Sequence, residues 1–231
     1  ALGVRGSAIS TVFARLYMAA VLVYAAWLHE SDRGHALFRH WPAPDWARLR
    51  ALLSHGFPAA SPIVLVVAAF GAATVMASHL SPIALATHEI VLSCAAYTYM
   101  VPLGISAAAA VAVGHAIGAG NRARARRAGL LAIALGAGFM ALMALLFLVI
   151  PRPILHIWTL DPQVLALGAH ILAIVAGFQI FDGIQGVSTG ALRGLGETRF
   201  PMLMNLTGYW ILGLPLGALL CFELKWGLSG L

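Results

Sequence analysis

Six apolar runs, each long enough to cross a lipid bilayer, constrain this chain more than any other feature of its sequence. A helix that crosses about 30 Å of hydrocarbon needs ~20 residues. The runs cover residues 8–28, 57–78, 83–113, 129–150, 163–192 and 200–222. Lipid admits only helices or closed barrels, and the sequence lacks the short alternating segments of barrel strands. We therefore predict an all-α protein, a polytopic bundle of six transmembrane helices.

The composition excludes most other classes of protein. Of the 231 residues, 61% are hydrophobic and 10% are charged, whereas a soluble domain carries roughly 25% charged residues. So few charges cannot cover a water-facing surface, which excludes a soluble globular enzyme, a disordered protein and a nucleic-acid module. We predict no catalytic residue. We also predict no metal site, because His88 and His115 have no carboxylate at metal-ligand spacing.

The basic residues set the orientation. The sequence pI is near 10.0, but the basic residues lie in short loops, which favours the positive-inside rule over a nucleic-acid partner. Ten of them follow the first, third and fifth runs: Arg33, Arg39, Arg48, Arg50, Arg122, Arg124, Arg126, Arg127, Arg193 and Arg199. The other side has three, Arg5, Arg152 and Lys225. We predict cytoplasmic Arg-rich loops, with both ends of the chain on the outer side.

The longest connection, residues 29–56, mixes charges, prolines and aromatic residues, which is typical of a linker between two bundles. Within it, residues 46–55 are either an amphipathic interfacial helix or a polar loop with aromatic anchors. Pro-Leu-Gly sequences at 102–104 and 215–217 are expected to break the third and sixth spans. Arg193 and Glu197 are expected to form an ion pair beyond the fifth span.

Asp182 is the first candidate for function because it lies near the middle of the fifth run. A carboxylate there costs ~2.5–3.5 kcal/mol on insertion scales, so such a residue acts by default as an ion ligand, a proton carrier or a counter-ion. The structural alternative is a hydrogen-bonded aspartate that ties helices together. Helical spacing places Phe178, Gln185 and Thr189 within about 60° of arc with Asp182, which predicts one polar stripe.

Further candidates lie on the third and sixth runs. Glu89 shares an i, i+4, i+8 stripe with Ser93 and Tyr97, and it is either a functional charge or an exposed interfacial residue. Asn205 and Tyr209 share a face of the sixth run. They either line a cavity or hydrogen-bond between helices.

Several stretches resemble the multidrug and toxic compound extrusion (MATE) family, in the family's order and over nearly the whole chain. Residues 190–202 (GALRGLGETRFPM) and 213–217 (GLPLG) look like its second lobe. Residues 86–90 (ATHEI), 101–104 (VPLG), 113–120 (VGHAIGAG) and 178–182 (FQIFD) also match. The resemblance implies the MATE fold of two six-helix lobes, of which this chain holds the sixth to the eleventh helix.

The resemblance also implies the domain organisation. Residues 1–28 are expected to be the last helix of an otherwise missing N-terminal lobe, and residues 29–56 the cytoplasmic inter-lobe linker. Residues 57–231 are expected to be the C-terminal lobe, with five transmembrane helices and the twelfth missing. Because the chain starts at Ala1, we expect it to be part of a longer protein.

The activity implied by the resemblance is secondary antiport: export of cationic or amphiphilic drugs in exchange for protons or sodium ions, by alternating access. The implied setting is a cell membrane, and the preference for arginine over lysine, 13 against 1, hints at the bacterial inner membrane. The implied partners are small organic cations, the lipid bilayer and the missing lobe, with no cofactor besides the coupling ion. Asp182 stands at the aspartate of the family's cation site. Candidates for the substrate cavity are Phe178, Gln185, Thr189, Asn205, Tyr209 and Tyr97.

Two positions depart from the family pattern. A glutamate of the family's seventh helix, counted from Pro58, falls on Val66, although the family phenylalanine is kept at Phe70. Glu89 stands where the family has glutamine. A proton needs one carboxylate, whereas sodium prefers several oxygen ligands, so the valine favours proton coupling, with Glu89 as a second candidate for the cation or proton site.

Two other functions compete with drug efflux. A flippase of a related superfamily that moves lipid-linked precursors would need basic residues in its cavity to hold phosphates. The spans contain one, Arg15. The other alternative is a non-transporting remnant of half a carrier. It applies if the gene itself is this short, and the flanking gene sequence would decide between the two.

Overall fold

The computed structural model describes residues 3–33 and 45–231, and every regular element within these ranges is helical. Six of its helices are long and apolar enough to cross a membrane, so the predicted all-α fold class is confirmed. They are α1 (Gly3–Arg33), α2 (Trp46–Ser78), α3 (Pro82–Gly118), α4 (Arg122–Val149), α6 (Pro162–Gly194) and the last span (Arg199–Glu223). A short helix, α5 (Pro151–His156), precedes α6, and a 3₁₀ turn (Gly227–Gly230) follows the last span.

Helix α2 begins eleven residues before the apolar run that predicts it, at Trp46 instead of residue 57. Asp45 explains the early start, since its Oδ1 accepts the backbone N–H groups of Ala47 and Arg48 at 3.0 and 3.2 Å. The same carboxylate forms an ion pair with Arg48 at 3.0 Å. Residues 46–55 are thus helical and form the first turns of α2, so the polar-loop alternative is wrong.

The chain divides into two compact units, residues 1–51 and 52–231. In the first unit, α1 exposes its apolar side chains along the whole candidate span Ala8–Leu28. Residues 34–44, which form much of the predicted linker, lie outside the described residues. The second unit contains the core, where α3, α4, α5 and α6 enclose a cluster of buried side chains that includes Val91, Cys94, Phe147, Leu155, Leu172 and Val175.

Glycines let α6 approach its neighbours at backbone distance. A Cβ added at Gly190 would overlap the carbonyl of Ser106 on α3, and one at Gly194 would lie 2.5 Å from the carbonyl oxygen of Ala110. On the side of α4, a Cβ at Gly183 would lie 2.6 Å from Cγ of Met140. Small residues are what permits such close packing between helices in lipid, so α3, α4 and α6 form one tightly packed group.

The turns between spans use local backbone chemistry. Gly120 adopts a φ of +71° after α3, which a side chain would disfavour, and Asn121 then caps α4 by accepting the N–H of Arg124 at 2.9 Å. Before the last span, Glu197 Oε1 accepts the N–H groups of Arg199 and Phe200 at 2.9 and 3.0 Å. The predicted Arg193–Glu197 ion pair is wrong, because this carboxylate caps a helix instead.

The two Pro-Leu-Gly sequences behave differently. Helix α3 continues through Pro102, so the predicted break is wrong there. The last span does change form around Pro215: π-helical stretches at Leu206–Gly213 and Leu219–Glu223 flank the α-helical turn Leu214–Ala218. A π-helical stretch holds extra backbone per turn, and such stretches recur at functional sites.

Candidate functional site

Asp182 lies in the middle of α6, half-buried, on the face that points towards α2 and the last span. The hydroxyls of Tyr99 on α3 and Tyr209 on the last span lie near its carboxylate without forming a hydrogen bond to it. Among the residues whose side chains the structure describes, no basic group forms an ion pair with Asp182. We call Asp182, Tyr99 and Tyr209 the carboxylate site.

The side chain of Tyr99 packs against α6 at Gly186, where the absence of a side chain leaves room for it. A Cβ added at Gly186, one turn after Asp182, would overlap the Tyr99 hydroxyl. The tyrosine therefore reaches across the surface of α6 next to the aspartate. Sequence reasoning missed this residue, because nothing in the run Tyr97-Thr98-Tyr99 distinguishes the two tyrosines, and only packing shows which one faces α6.

Tyr209 brings α2 into the site. Its ring packs against Phe70 with centroids 6.2 Å apart and planes tilted by 56°. The neighbouring Trp210 donates its Nε1–H to the carbonyl oxygen of Leu65 at 3.1 Å. Both rings belong to the π-helical stretch Leu206–Gly213, so this irregular turn is where the last span meets α2. Val66 lies one turn before Phe70 on α2, half-buried, and offers no oxygen ligand to the site.

Gln185 and Asn205 link α6 to the last span. Gln185 Nε2 donates to Asn205 Oδ1 at 3.1 Å, and Asn205 Nδ2 donates to the carbonyl oxygen of Pro201 at 2.8 Å. Asn205 is 3% exposed. The pair thus forms a hydrogen bond between helices, which is one of the two roles that the sequence leaves open for Asn205.

Thr189 extends the polar stripe towards the end of α6. Its hydroxyl donates to the carbonyl oxygen of Gln185 at 2.9 Å, and it borders a narrow crevice together with Pro58, Pro62 and Arg193. Asp182, Gln185 and Thr189 therefore face α2 and the last span, while the glycines of α6 face α3 and α4.

Glu89 and Tyr97 lie on α3 apart from the carboxylate site, whereas Phe178 lies one turn before Asp182 on the same face of α6. Phe178 is 45% exposed on α6. Glu89 is exposed near the start of α3, beside His88. Tyr97 is 68% exposed, and its ring packs against Trp158 with centroids 5.9 Å apart.

Two other polar contacts join α3 to α6 behind the site. Ser106 Oγ donates to the carbonyl oxygen of Gly186 at 2.8 Å, and Gln179 Nε2 donates to Thr98 Oγ1 at 2.8 Å. Gln179 is 1% exposed. These bonds fix the rotation of α6 about its axis, and with it the direction of Asp182.

Residues 186–190 (GVSTG) have the Gly-x-Ser-x-Gly spacing of a hydrolase nucleophile elbow. That motif requires a sharp turn from a strand into a helix. Here it lies inside the uninterrupted helix α6, so the spacing carries no sign of hydrolytic chemistry. In the described part of the chain, no group of three His, Cys, Asp or Glu side chains comes together.

The MatE family model matches residues 58–219. A probable multidrug resistance protein NorM of Brucella suis biovar 1 is 41% identical over 100% of this chain and 50% of that relative. A multidrug resistance protein NorM of Burkholderia vietnamiensis is 40% identical, again over 100% of this chain and 50% of the relative. The chain spans about half the length of the curated relatives it matches.

Solved structures share the fold. An outward-facing multidrug resistance MATE family transporter of the MOP superfamily superposes with a TM-score of 0.69 at 18% identity, over 78% of this chain and 40% of that one. A MOP superfamily transporter from Pyrococcus furiosus, whose reversed pocket polarity suggests a different function, superposes with a TM-score of 0.65 at 18% identity, over the same shares. With the family match over residues 58–219 and relatives aligned along the whole sequence, these findings establish that the chain belongs to the MATE family.

Proposed function

We propose that this chain forms most of one lobe of a secondary antiporter, which exports cationic or amphiphilic organic compounds in exchange for protons. The observation that carries the proposal is the carboxylate site: Asp182, in mid-helix, beside Tyr99 and Tyr209. A membrane-embedded carboxylate is costly and is retained for function. Membership of the MATE family and relatives named as multidrug resistance proteins support the same activity.

The chemistry of the site suits a cation and a proton in turn. The charged carboxylate of Asp182 attracts an organic cation, and the rings of Tyr99 and Tyr209 offer π faces to it. Protonation removes the charge and weakens the hold on the cation, so the substrate leaves as the proton arrives. Exchange of this kind is coupled to alternating access only if the two ligands favour different conformations of the protein.

Val66 supports protons as the coupling ion. It lies one turn before Phe70 on α2 and offers no oxygen ligand, whereas a sodium ion prefers several. We propose that this lobe carries one proton at most per cycle. Glu89, exposed on α3, is a second place for a charge in the intact transporter.

The proposed domain organisation follows from the length of the relatives. Because the chain spans about half of them, we propose that residues 57–231 work against a second, N-terminal lobe. Residues 1–28 then belong to that lobe, and residues 29–56, whose last eleven residues form the start of α2, connect the two lobes on the cytoplasmic side. Alternating access needs both lobes around a shared cavity in the cell membrane.

A pair of matched substitutions tests the role of Asp182. Asp182→Asn in the intact gene product should abolish resistance to organic cations in cells that lack other efflux pumps. Asp161→Asn removes the same charge from an exposed cap of α6, where asparagine also caps well, and should leave resistance unchanged. Full resistance of the Asp182 variant at equal expression would show that Asp182 is structural.

Transport in vesicles that contain the intact gene product separates the coupling ions. A pH gradient without sodium should drive efflux of a fluorescent cation, and a sodium gradient at fixed pH should not. If the sodium gradient alone drives efflux, the inference from Val66 is wrong, and Glu89 or the other lobe supplies the additional ligands.

A further inference from the structure

A groove of about 410 Å³ lies between the ends of α3, α4 and α6 that carry the Arg-rich loop. Ala191 at its floor lies nine residues after Asp182, so the groove is about 13 Å further along the axis of α6 than the carboxylate site. None of the polar stripe lines it. The groove is therefore a separate feature of the fold.

The walls of the groove are apolar and open to the surface of the helix group. They are formed by Val113, Ile117, Leu130, Ile133 and Leu195. Leu130 and Leu195 are 55% and 51% exposed. The groove is deep because small residues form its floor. A Cβ added at Gly129 would lie 3.8 Å from the Cβ of Ala191, which is an ordinary contact distance. A channel of this kind at membrane depth fits a hydrocarbon chain.

Two arginines stand at one end of the groove. Arg122 and Arg126 are one helical turn apart in the first turns of α4, both exposed, and both line the groove. The first turn of α4 contains no acidic residue. Glu197, the next acidic residue after α6, is engaged with the backbone of Arg199 and Phe200. Within the described ranges, neither arginine of the groove forms an ion pair.

We propose that this groove binds an anionic phospholipid of the inner leaflet. Its phosphate lies between the guanidinium groups of Arg122 and Arg126, which present planar donors to phosphate oxygens. One acyl chain lies along the apolar walls. The charge of the groove selects the headgroup, and the predicted cytoplasmic location of the loop after α3 places the site in the leaflet that is rich in anionic lipid. The proposal rests on the groove and its orientation, and not on the proposed transport cycle.

Matched double variants test the site. Phosphatidylglycerol and phosphatidylcholine are titrated separately onto the delipidated intact gene product, and bound lipid is counted by native mass spectrometry. The wild type should bind phosphatidylglycerol about tenfold more tightly than phosphatidylcholine, since each arginine near a phosphate contributes a several-fold gain. Arg122→Gln with Arg126→Gln should remove this preference. Arg124→Gln with Arg127→Gln, which loses the same charge from the same helix outside the groove, should keep it.

Two further measurements sharpen the result. Glycerol 1-phosphate, which carries the anion without the chain, should not displace the lipid at millimolar concentration. Displacement would overturn the proposal in favour of a simple anion site. All four arginines are exposed, so the variants should melt like the wild type. If a double variant melts lower, Arg126→Gln against Arg127→Gln makes the same comparison. Equal loss of phosphatidylglycerol in both members of a pair, or no preference for it in the wild type, contradicts the proposal.

Discussion

The hydroxyl of Ser106 on α3 donates a 2.8 Å hydrogen bond to the backbone carbonyl oxygen of Gly186 on α6, one turn after Asp182. Ser106 is 6% exposed, so this bond lies inside the packed group of α3, α4 and α6. It joins a side chain of one helix directly to the main chain of the other. The bond therefore fixes the position of Asp182 relative to α3, the helix that also carries Tyr99.

Ser106→Ala should lower the stability of the protein without unfolding it. Interhelical hydrogen bonds in membranes contribute ~0.6 kcal/mol on average and up to ~1.7 kcal/mol, and we expect a loss in this range. Ser78→Ala is the matched control, because the exposed Ser78 bonds to the carbonyl oxygen of Val75 in its own helix. Thermal unfolding in detergent measures both. A melting temperature lowered equally by the two substitutions would contradict the assignment.

Gly190→Ala should be far more destabilising than Gly177→Ala in the same helix. The added methyl group at 190 overlaps the Ser106 carbonyl, and overpacking costs ~1–3 kcal/mol even where side chains can give way. Nothing lies within 4 Å of a Cβ at Gly177, and alanine is the better helix former. Relative to the wild type, the melting temperature of Gly190→Ala should fall by several degrees, and that of Gly177→Ala should stay the same or rise. Similar melting temperatures for the two variants would show that α3 and α6 pack differently.

Tyr99→Phe should weaken transport while leaving the fold intact. The phenyl ring still fills the space opposite Gly186, but the hydroxyl that faces Asp182 is gone. The loss of this dipole beside the carboxylate changes the energy of its charged form, and we expect a several-fold fall in cation efflux. Tyr97→Phe, two residues away and 68% exposed against Trp158, is the control and should transport normally. Efflux of a fluorescent cation from vesicles measures both, and equal activities would remove Tyr99 from the site.

Arg124→Cys should react with a membrane-impermeant maleimide only from the cytoplasmic side. Arg152→Cys, which lies in the connection between α4 and α6, should react only from the outer side. The natural thiols Cys94 and Cys221 are 6% and 2% exposed, so they add little background. Labelling of Arg124→Cys from the outside would invert the predicted topology and move the proposed lipid groove to the outer leaflet.

The spans were predictable from sequence because hydropathy over ~20 residues is a strong local signal. The run 83–113 corresponds to α3 (Pro82–Gly118), and the run 163–192 to α6 (Pro162–Gly194). The early start of α2 was not predictable in this way. It depends on a single cap at Asp45, in a stretch whose charges and prolines read as a linker.

The site was predictable only in part. Helical periodicity groups Phe178, Asp182, Gln185 and Thr189, because they lie on one helix with a fixed spacing. Tyr99 and the hydrogen bond from Gln185 to Asn205 join different helices, and no periodicity within one helix reports such contacts. Glu197 is a second example. Its spacing predicted an ion pair with Arg193, but its carboxylate accepts a backbone N–H of the next helix instead.

The two sides of α6 are held in unlike ways. Towards α3 and α4, glycines bring main chain against main chain, which leaves no room for sliding. Towards the last span, the Gln185–Asn205 link joins two amides, and each amide group both donates and accepts, so the link can be remade with new partners after a shift. The π-helical stretch Leu206–Gly213 stores extra chain length beside this link. Main-chain contact therefore couples α3, α4 and α6 to one another, whereas exchangeable amide groups couple α6 to the last span.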